Sequence, residues 1–231
     1  TGNFGNILAG YFAKRIGIPV NKLICASNEN KVLYDFFESA VYDRNRDFIL
    51  TTSPSMDILI SSNFERLIYL SCGCDSEKNK SFMSDLKEKG AYTVTEDMKK
   101  FIDESFIGGF ASEDMVSKRI KNVFDKTGYV LDTHTAVASA VYENYENSTN
   151  DDTISVIVST ASPYKFTRAV LSSIDGIKHD EDDFVLVDKL NELSGIAIPK
   201  AVNDIRNAPV LHNTVCDKED MKKEVENFLV L

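Results

Sequence analysis

The sequence predicts an α/β fold, a parallel sheet flanked by helices, with a helical extension at the carboxyl end. Three observations carry that expectation. Short apolar runs of strand length alternate with amphipathic helical segments near the amino end. Ile154 to Ser159 (ISVIVS) is a β-branched run with the composition of a buried strand. The chain has 231 residues, 43% of them hydrophobic, which is enough to bury a sizeable core.

In chain order, Ile7 to Ile16 has helical spacing and is closed by Gly17 and by Pro19 just beyond. Lys22 to Ala26 is a short apolar run of strand length. Asn30 to Ala40 returns to helical spacing, with Val32, Leu33, Phe36 and Phe37 on one face. Asp47 to Thr51 (DFILT) reads as a second strand. The middle is more helical: Ser62–Leu70, with Phe64, Leu67 and Ile68 in register, then Ser81–Lys89, Thr95–Ile102 and Ser112–Lys126. Glu96 and Asp97 favour the first turn of their helix through its dipole. Gly108-Gly109 separates two of these helices and reads as a hinge or tight turn. Thr135–Tyr145 is a further helix, and the acidic run 180–183 reads as a solvated helix start. Lys218–Leu231 is amphipathic and is expected to dock on the body through Met221, Val225, Phe228 and Leu229. The division expected from this reading is 1–175 for the α/β part and 176–231 for the helical extension.

Charge and cysteine content narrow the function classes. Asp plus Glu number 36 against 26 Lys plus Arg, a formal net charge of −10. Such a surface repels phosphate backbones, so a nucleic-acid partner is not expected. The sequence has no run of 18 apolar residues, so no membrane partner is expected either, and no basic-then-apolar leader is visible. Cys25, Cys72, Cys74 and Cys216 are too few for a disulfide scaffold. Cys72 and Cys74 are separated by one residue, closer than a metal knuckle, and the histidines at 134, 179 and 212 are scattered. No metal site is expected, and reduced thiols point to a cytoplasmic location.

Four motifs carry possible chemistry. Thr1-Gly-Asn-Phe-Gly-Asn6 places two glycines and two asparagines directly before a helix. Gly and Asn tolerate the positive φ that turns successive N–H groups toward one point, and the helix end adds its dipole. The motif is either a phosphate cradle or an ordinary turn capping a helix; it fits neither the Walker nor the dinucleotide pattern. Ser159-Thr-Ala-Ser-Pro-Tyr-Lys-Phe166 follows the best strand candidate, where open α/β sheets bind ligands. There Thr160 is a candidate ligand contact, and Ser162 with Pro163 a candidate helix cap. Asp132-Thr-His134 precedes a helix; His134 is either a general base or a packed structural residue, and spacing favours the second. Ser53-Pro-Ser-Met-Asp57 and Ser61-Ser-Asn-Phe-Glu-Arg66 suit turns and caps, with Glu65 or Asp57 as surface partners for Arg66.

Together these blocks resemble one family. Thr1–Asn6, continued by Ile-Leu-Ala-Gly-Tyr11, resembles the pyridoxal-phosphate phosphate loop of threonine synthase, in the branch found in enterobacteria and yeast. The similarity continues through Leu23–Asn30, Val41–Asn45, Ser53–Ile58, Ser61–Arg66, Asp132–Val137 and Thr160–Phe166, and more weakly through Ile198–Lys200 and Leu211–His212. Ser162, Ala138 and Thr133 stand where the family usually has His, Gly and Pro.

The resemblance implies a tryptophan-synthase-β-like fold and a lyase converting O-phospho-L-homoserine and water to L-threonine and phosphate. Carried over by position, Gly2, Asn3, Phe4, Gly5 and Asn6 hold the phosphate of pyridoxal 5'-phosphate, and Thr160 bonds its pyridine nitrogen. Asp132, His134 and Thr135 lie along the cofactor wall, with no catalytic role transferred to them. The Schiff-base lysine of the family lies upstream of the loop. The chain is therefore expected to be the C-terminal portion of a longer enzyme, inactive alone and completed by the missing N-terminal part. Two alternatives stay open: another lyase of the same fold, such as a serine or threonine dehydratase, and a non-catalytic phosphate-binding module.

Overall fold

The structure, a computed structural model, describes residues 2–230. The chain divides into two compact units, one ending at Ile196 and one beginning at Ala197. The first contains α1 (Gly5–Arg15), β1 (Leu23–Ser27), α2 (Val32–Ser39), β2 (Val41–Asp43), α3 (Phe64–Ser71), α4 (Ser76–Glu88) and β3 (Ala91–Thr93). It continues with α5 (Glu96–Asp103), β4 (Phe106–Phe110), α6 (Glu113–Thr127), α7 (Thr133–Thr149), α8 (Thr167–Asp175) and α9 (Asp183–Ser194). The second contains α10 (Lys200–Arg206) and α11 (Met221–Leu229).

β1 and β4 pair in parallel, from Leu23 opposite Phe106 to Ser27 opposite Phe110. A smaller antiparallel pair joins β2 to β3 through Tyr42 opposite Tyr92. The helices follow the apolar spacing, and side chains cap several of them: Thr95 accepts from Met98 N, and Ser112 from Met115 N. Asp182, inside the acidic run, accepts from Phe184 N to start α9. Phe4, Tyr11, Phe36, Phe37, Phe64 and Phe106 form an aromatic core between α1, α2, α3 and the parallel pair. Buried aromatic groups of this size contribute much of the apolar area removed from water.

Three expectations are corrected. Gly108-Gly109 is no hinge; both residues lie inside β4. A Cβ at Gly108 would stand 2.8 Å from Phe37 Cβ, and one at Gly109 would stand 2.4 Å from Val141 Cγ1. The glycines let α2 and α7 close onto the strand. Asp47–Thr51 is not a strand. The Asn30 side chain takes the place of a neighbouring strand there, accepting from Ile49 N at 3.0 Å and donating to Ile49 O at 2.9 Å. Ile154–Ser159 is not a strand either: Ile154 is 94% exposed and Val156 84%. No strand of residues 2–230 lies beside it to supply a ladder or cover its apolar side chains. In the second unit, α11 forms where the amphipathic pattern predicts it, and Met221, Val225, Phe228 and Leu229 are exposed.

The close approach at Gly109 is testable. Gly109→Ala is expected to cost about 1–3 kcal/mol by overpacking, read as a lower urea midpoint. In a Val141→Ala background, which removes the colliding methyl, the same change is expected to cost measurably less. Equal costs in both backgrounds would contradict the packing argument.

Candidate functional site

The loop before α1 is built around Phe4. Phe4 is the N-cap of α1 and takes a left-handed conformation, φ 62° and ψ 7°, which is costly for a bulky residue. Gly and Asn were the residues expected to carry positive φ; the structure places it on Phe4, and Gly5 does not have it. Burial offsets the strain, because Phe4 is 1% exposed and meets Phe64 edge-on with ring centroids 5.0 Å apart. With the Phe4 ring drawn into the core, Asn3, Gly5 and Asn6 are left exposed. Gly2 answers a different demand: a Cβ there would stand 2.3 Å from Ser55 O.

The start of α3 holds the other side of the loop. Ser61 Oγ donates to Gly2 O at 2.9 Å. Asn3 O accepts from Asn63 Nδ2 at 2.8 Å and from Asn63 N at 3.2 Å. Ser62 N donates to Asn3 Oδ1 at 3.4 Å. Arg66 donates to Asn63 Oδ1, not to Glu65 or Asp57 as the spacing had suggested.

Beneath Gly2, a partly buried polar network holds the turn that carries Ser55. Asn28 Nδ2 donates to Asp57 Oδ1 at 2.7 Å and to Thr51 Oγ1 at 2.9 Å. Asp57 Oδ2 accepts from Thr51 N at 2.9 Å, and Asn30 Nδ2 donates to Asp57 Oδ1 at 3.0 Å. Sequence reasoning missed this network. Its signal was Asn28-x-Asn30 directly after a strand, together with the lone acid of Ser53–Asp57.

α7 connects this turn to the 159–166 segment. Asp132 caps α7, its Oδ1 accepting from His134 N at 2.9 Å and Thr135 N at 3.2 Å. Its other oxygen accepts from Thr135 Oγ1, which lies 3.1 Å from Ser159 Oγ. Burial alone would raise the Asp132 carboxyl, but the hydrogen bonds from His134 and Thr135 outweigh it and hold the group below the usual carboxylate value. His134 Nε2 accepts from Ser55 N at 3.0 Å, so the ring carries its proton on Nδ1, which faces Asp132 Oδ1 at 3.5 Å. The ring also packs on Phe166, centroids 4.6 Å apart. His134 is thus a packed, bonded strut, as its spacing favoured. Thr160 follows Ser159 and is exposed. Ser162 caps the short 3-10 turn Pro163–Lys165 through Tyr164 N at 3.3 Å.

The structure therefore joins the candidates in a line of contacts: Gly2 on Ser55, Ser55 on His134, His134 on Asp132, Asp132 on Thr135, and Thr135 on Ser159 beside Thr160. Asp132 makes one part of this line titratable. Its carboxyl lies lower in the folded state than the ordinary 3.8, so the ionised form favours folding. That contribution is complete above about pH 4 and is lost as pH falls through the lower folded value. Asp132→Asn, which keeps a capping oxygen, is expected to lose stability near neutral pH and to show a shallower decline on acidification below about pH 4. Urea unfolding across that range checks it; parallel wild-type and variant curves would contradict the assignment.

Comparison with known proteins gives the following matches. The family model "Threonine synthase, C-terminal" matches residues 135–215. Threonine synthase of Saccharomyces cerevisiae is 37% identical over 225 residues, covering 91% of this chain and 43% of that protein. Human threonine synthase-like 1 is 32% identical, covering 98% of this chain and 28% of that protein. Among solved structures, yeast threonine synthase superposes with a TM-score of 0.85 at 32% identity, covering all of this chain and 46% of that one. The PLP-bound threonine synthase of Brucella melitensis superposes with a TM-score of 0.69 at 36% identity, covering 84% and 40%. The chain spans less than half the length of each of these relatives. By these matches the chain belongs to the threonine synthase family and corresponds to its C-terminal portion.

Proposed function

We propose that the chain is the C-terminal part of a pyridoxal 5'-phosphate-dependent threonine synthase, a lyase that converts O-phospho-L-homoserine and water to L-threonine and phosphate. The observation that carries the reading is the Gly2–Asn6 loop. Its carbonyls at Gly2 and Asn3 are bonded to the start of α3, while Asn3, Gly5 and Asn6 are exposed where α1 begins. The first-turn N–H groups of a helix have no carbonyl of their own turn to bond, and Phe4 supplies no side-chain cap. Exposed donors at the positive end of a helix fit a phosphate.

Gly2, Asn3, Phe4, Gly5 and Asn6 would hold the cofactor phosphate, and the Thr160 hydroxyl would bond the pyridine nitrogen. When bound, the cofactor supplies the electron sink for β,γ-elimination and replacement. A hydroxyl partner, unlike a carboxylate, leaves that nitrogen largely unprotonated. Asp132, His134 and Thr135 keep the wall between loop and Thr160 in register, with His134 fixing Ser55 under Gly2 and Thr135 meeting Ser159. They position and are not assigned a proton transfer. The covalent anchor for the cofactor is expected from the lysine that stands upstream of the loop in the family, outside residues 1–231. The exposed run Ile154–Ser159 fits this reading, since the preceding part of the enzyme would supply the strand it lacks. The assembled protein is read as a cytoplasmic enzyme of threonine biosynthesis.

The full-length protein is expected to release phosphate from O-phospho-L-homoserine with formation of threonine, and to leave serine unchanged. The 231-residue chain by itself is expected to make no threonine. Ammonia and pyruvate from serine in the full-length assay would favour the dehydratase alternative. Threonine formed by the isolated chain, with full-length enzyme excluded, would contradict the assignment of the anchoring lysine to the missing part.

A further inference from the structure

We propose that Asn63, with its amide oriented by Arg66 and with Ser61 as companion, is the positioning residue that sets the Gly2–Asn6 loop to receive a phosphate. The inference rests on the proposed function and adds how this chain shapes the loop. A trans peptide unit is planar, and its C=O and the following N–H point in opposite directions. Whatever fixes a carbonyl therefore aims the next N–H the other way. Gly2 O is taken by Ser61 Oγ, and Asn3 O by two donors of Asn63. The N–H groups of Asn3 and Phe4 are thus turned away from α3. Their direction is set before any ligand arrives.

A second observation points the same way. Asn63 stands at the N-cap of α3, where an Asn side chain ordinarily accepts a bond from its own helix. It makes no such bond; its backbone is helical there, φ −85° and ψ −11°. Instead the amide reaches back across 60 residues of sequence to the loop. Only one of its two orientations works, because Nδ2 must face the Asn3 carbonyl. Arg66, one turn on, donates to Oδ1 and selects that orientation. Aspartate in place of Asn63 would remove the donor and set a carboxylate against a carbonyl beside an anion site. The block Ser61–Arg66, which read in the sequence as turn and cap residues, thereby has a job at the cofactor end of the molecule.

The test uses the full-length protein freed of cofactor, with pyridoxal 5'-phosphate and pyridoxal as the two probes, their dissociation constants read by absorbance. They differ only in the phosphate. Wild type is expected to bind the phosphorylated form more tightly. Asn63→Asp is expected to weaken it about tenfold, the scale of a lost charge-sensitive hydrogen-bond arrangement, and to leave pyridoxal unchanged. Ser61→Ala should move in the same direction, and Ser61→Thr, which keeps the hydroxyl, should restore binding. Should Asn63→Asp fail to fold, Arg66→Met leaves Asn63 in place and is expected to weaken the phosphorylated probe about threefold without affecting pyridoxal. Equal weakening of both probes, or no change in either, would overturn the positioning role. A wild type that does not distinguish the probes would instead overturn the phosphate-loop reading on which it rests.

Discussion

The burial of one aromatic ring in a strained backbone conformation organises this molecule. Phe4 accepts a left-handed φ because its ring is enclosed by Phe37, Phe64 and Phe106. Those rings come from α2, α3 and β4, so closing the core and shaping the loop are one event. Burying a Phe side chain contributes about 2–3 kcal/mol, comparable with the about 1–3 kcal/mol that a strained φ costs, so neither would persist alone. The exposed neighbours Asn3, Gly5 and Asn6 inherit their positions from a residue whose own side chain is buried.

From that anchor the site extends through polar contacts between segments distant in sequence. Gly2 rests on Ser55 because a glycine is the only residue without a Cβ to strike its carbonyl. Ser55 is fixed from the other side by His134, and the Asp57 network holds the turn between them. Partly buried networks of this kind are favourable when every member is bonded, and costly when one is removed. Here Asn28, Asn30, Thr51 and Asp57 bond to one another or to backbone, which gives the turn a defined height under the loop.

How much of this was legible in the sequence differs by the range of the interaction. Helices were legible because their apolar spacing and caps are local: Val32, Leu33, Phe36 and Phe37 fall on one buried face as predicted. The turn before α1 was legible from its Gly and Asn residues and from the apolar spacing of the helix that follows. Which residue bears the strain was not, because Phe4's conformation depends on three rings far along the chain. Gly108-Gly109 carried a local signal for a turn, and tertiary packing against Phe37 and Val141 decided otherwise. The runs at Asp47–Thr51 and Ile154–Ser159 have strand composition, yet a strand needs a neighbour, and composition says nothing about whether one is present. Ser61–Arg66 was visible as a motif, but its role lies in contacts across 60 residues that no spacing rule encodes.

The central claim is that the loop is shaped for a phosphate by the protein itself, before any cofactor arrives. Backbone amide resonances of the 231-residue chain, followed while inorganic phosphate is added, test this most directly. The account predicts saturable shifts concentrated at the amides of Asn3 to Ile7. Shifts absent there, or spread over the surface without saturation, would contradict it.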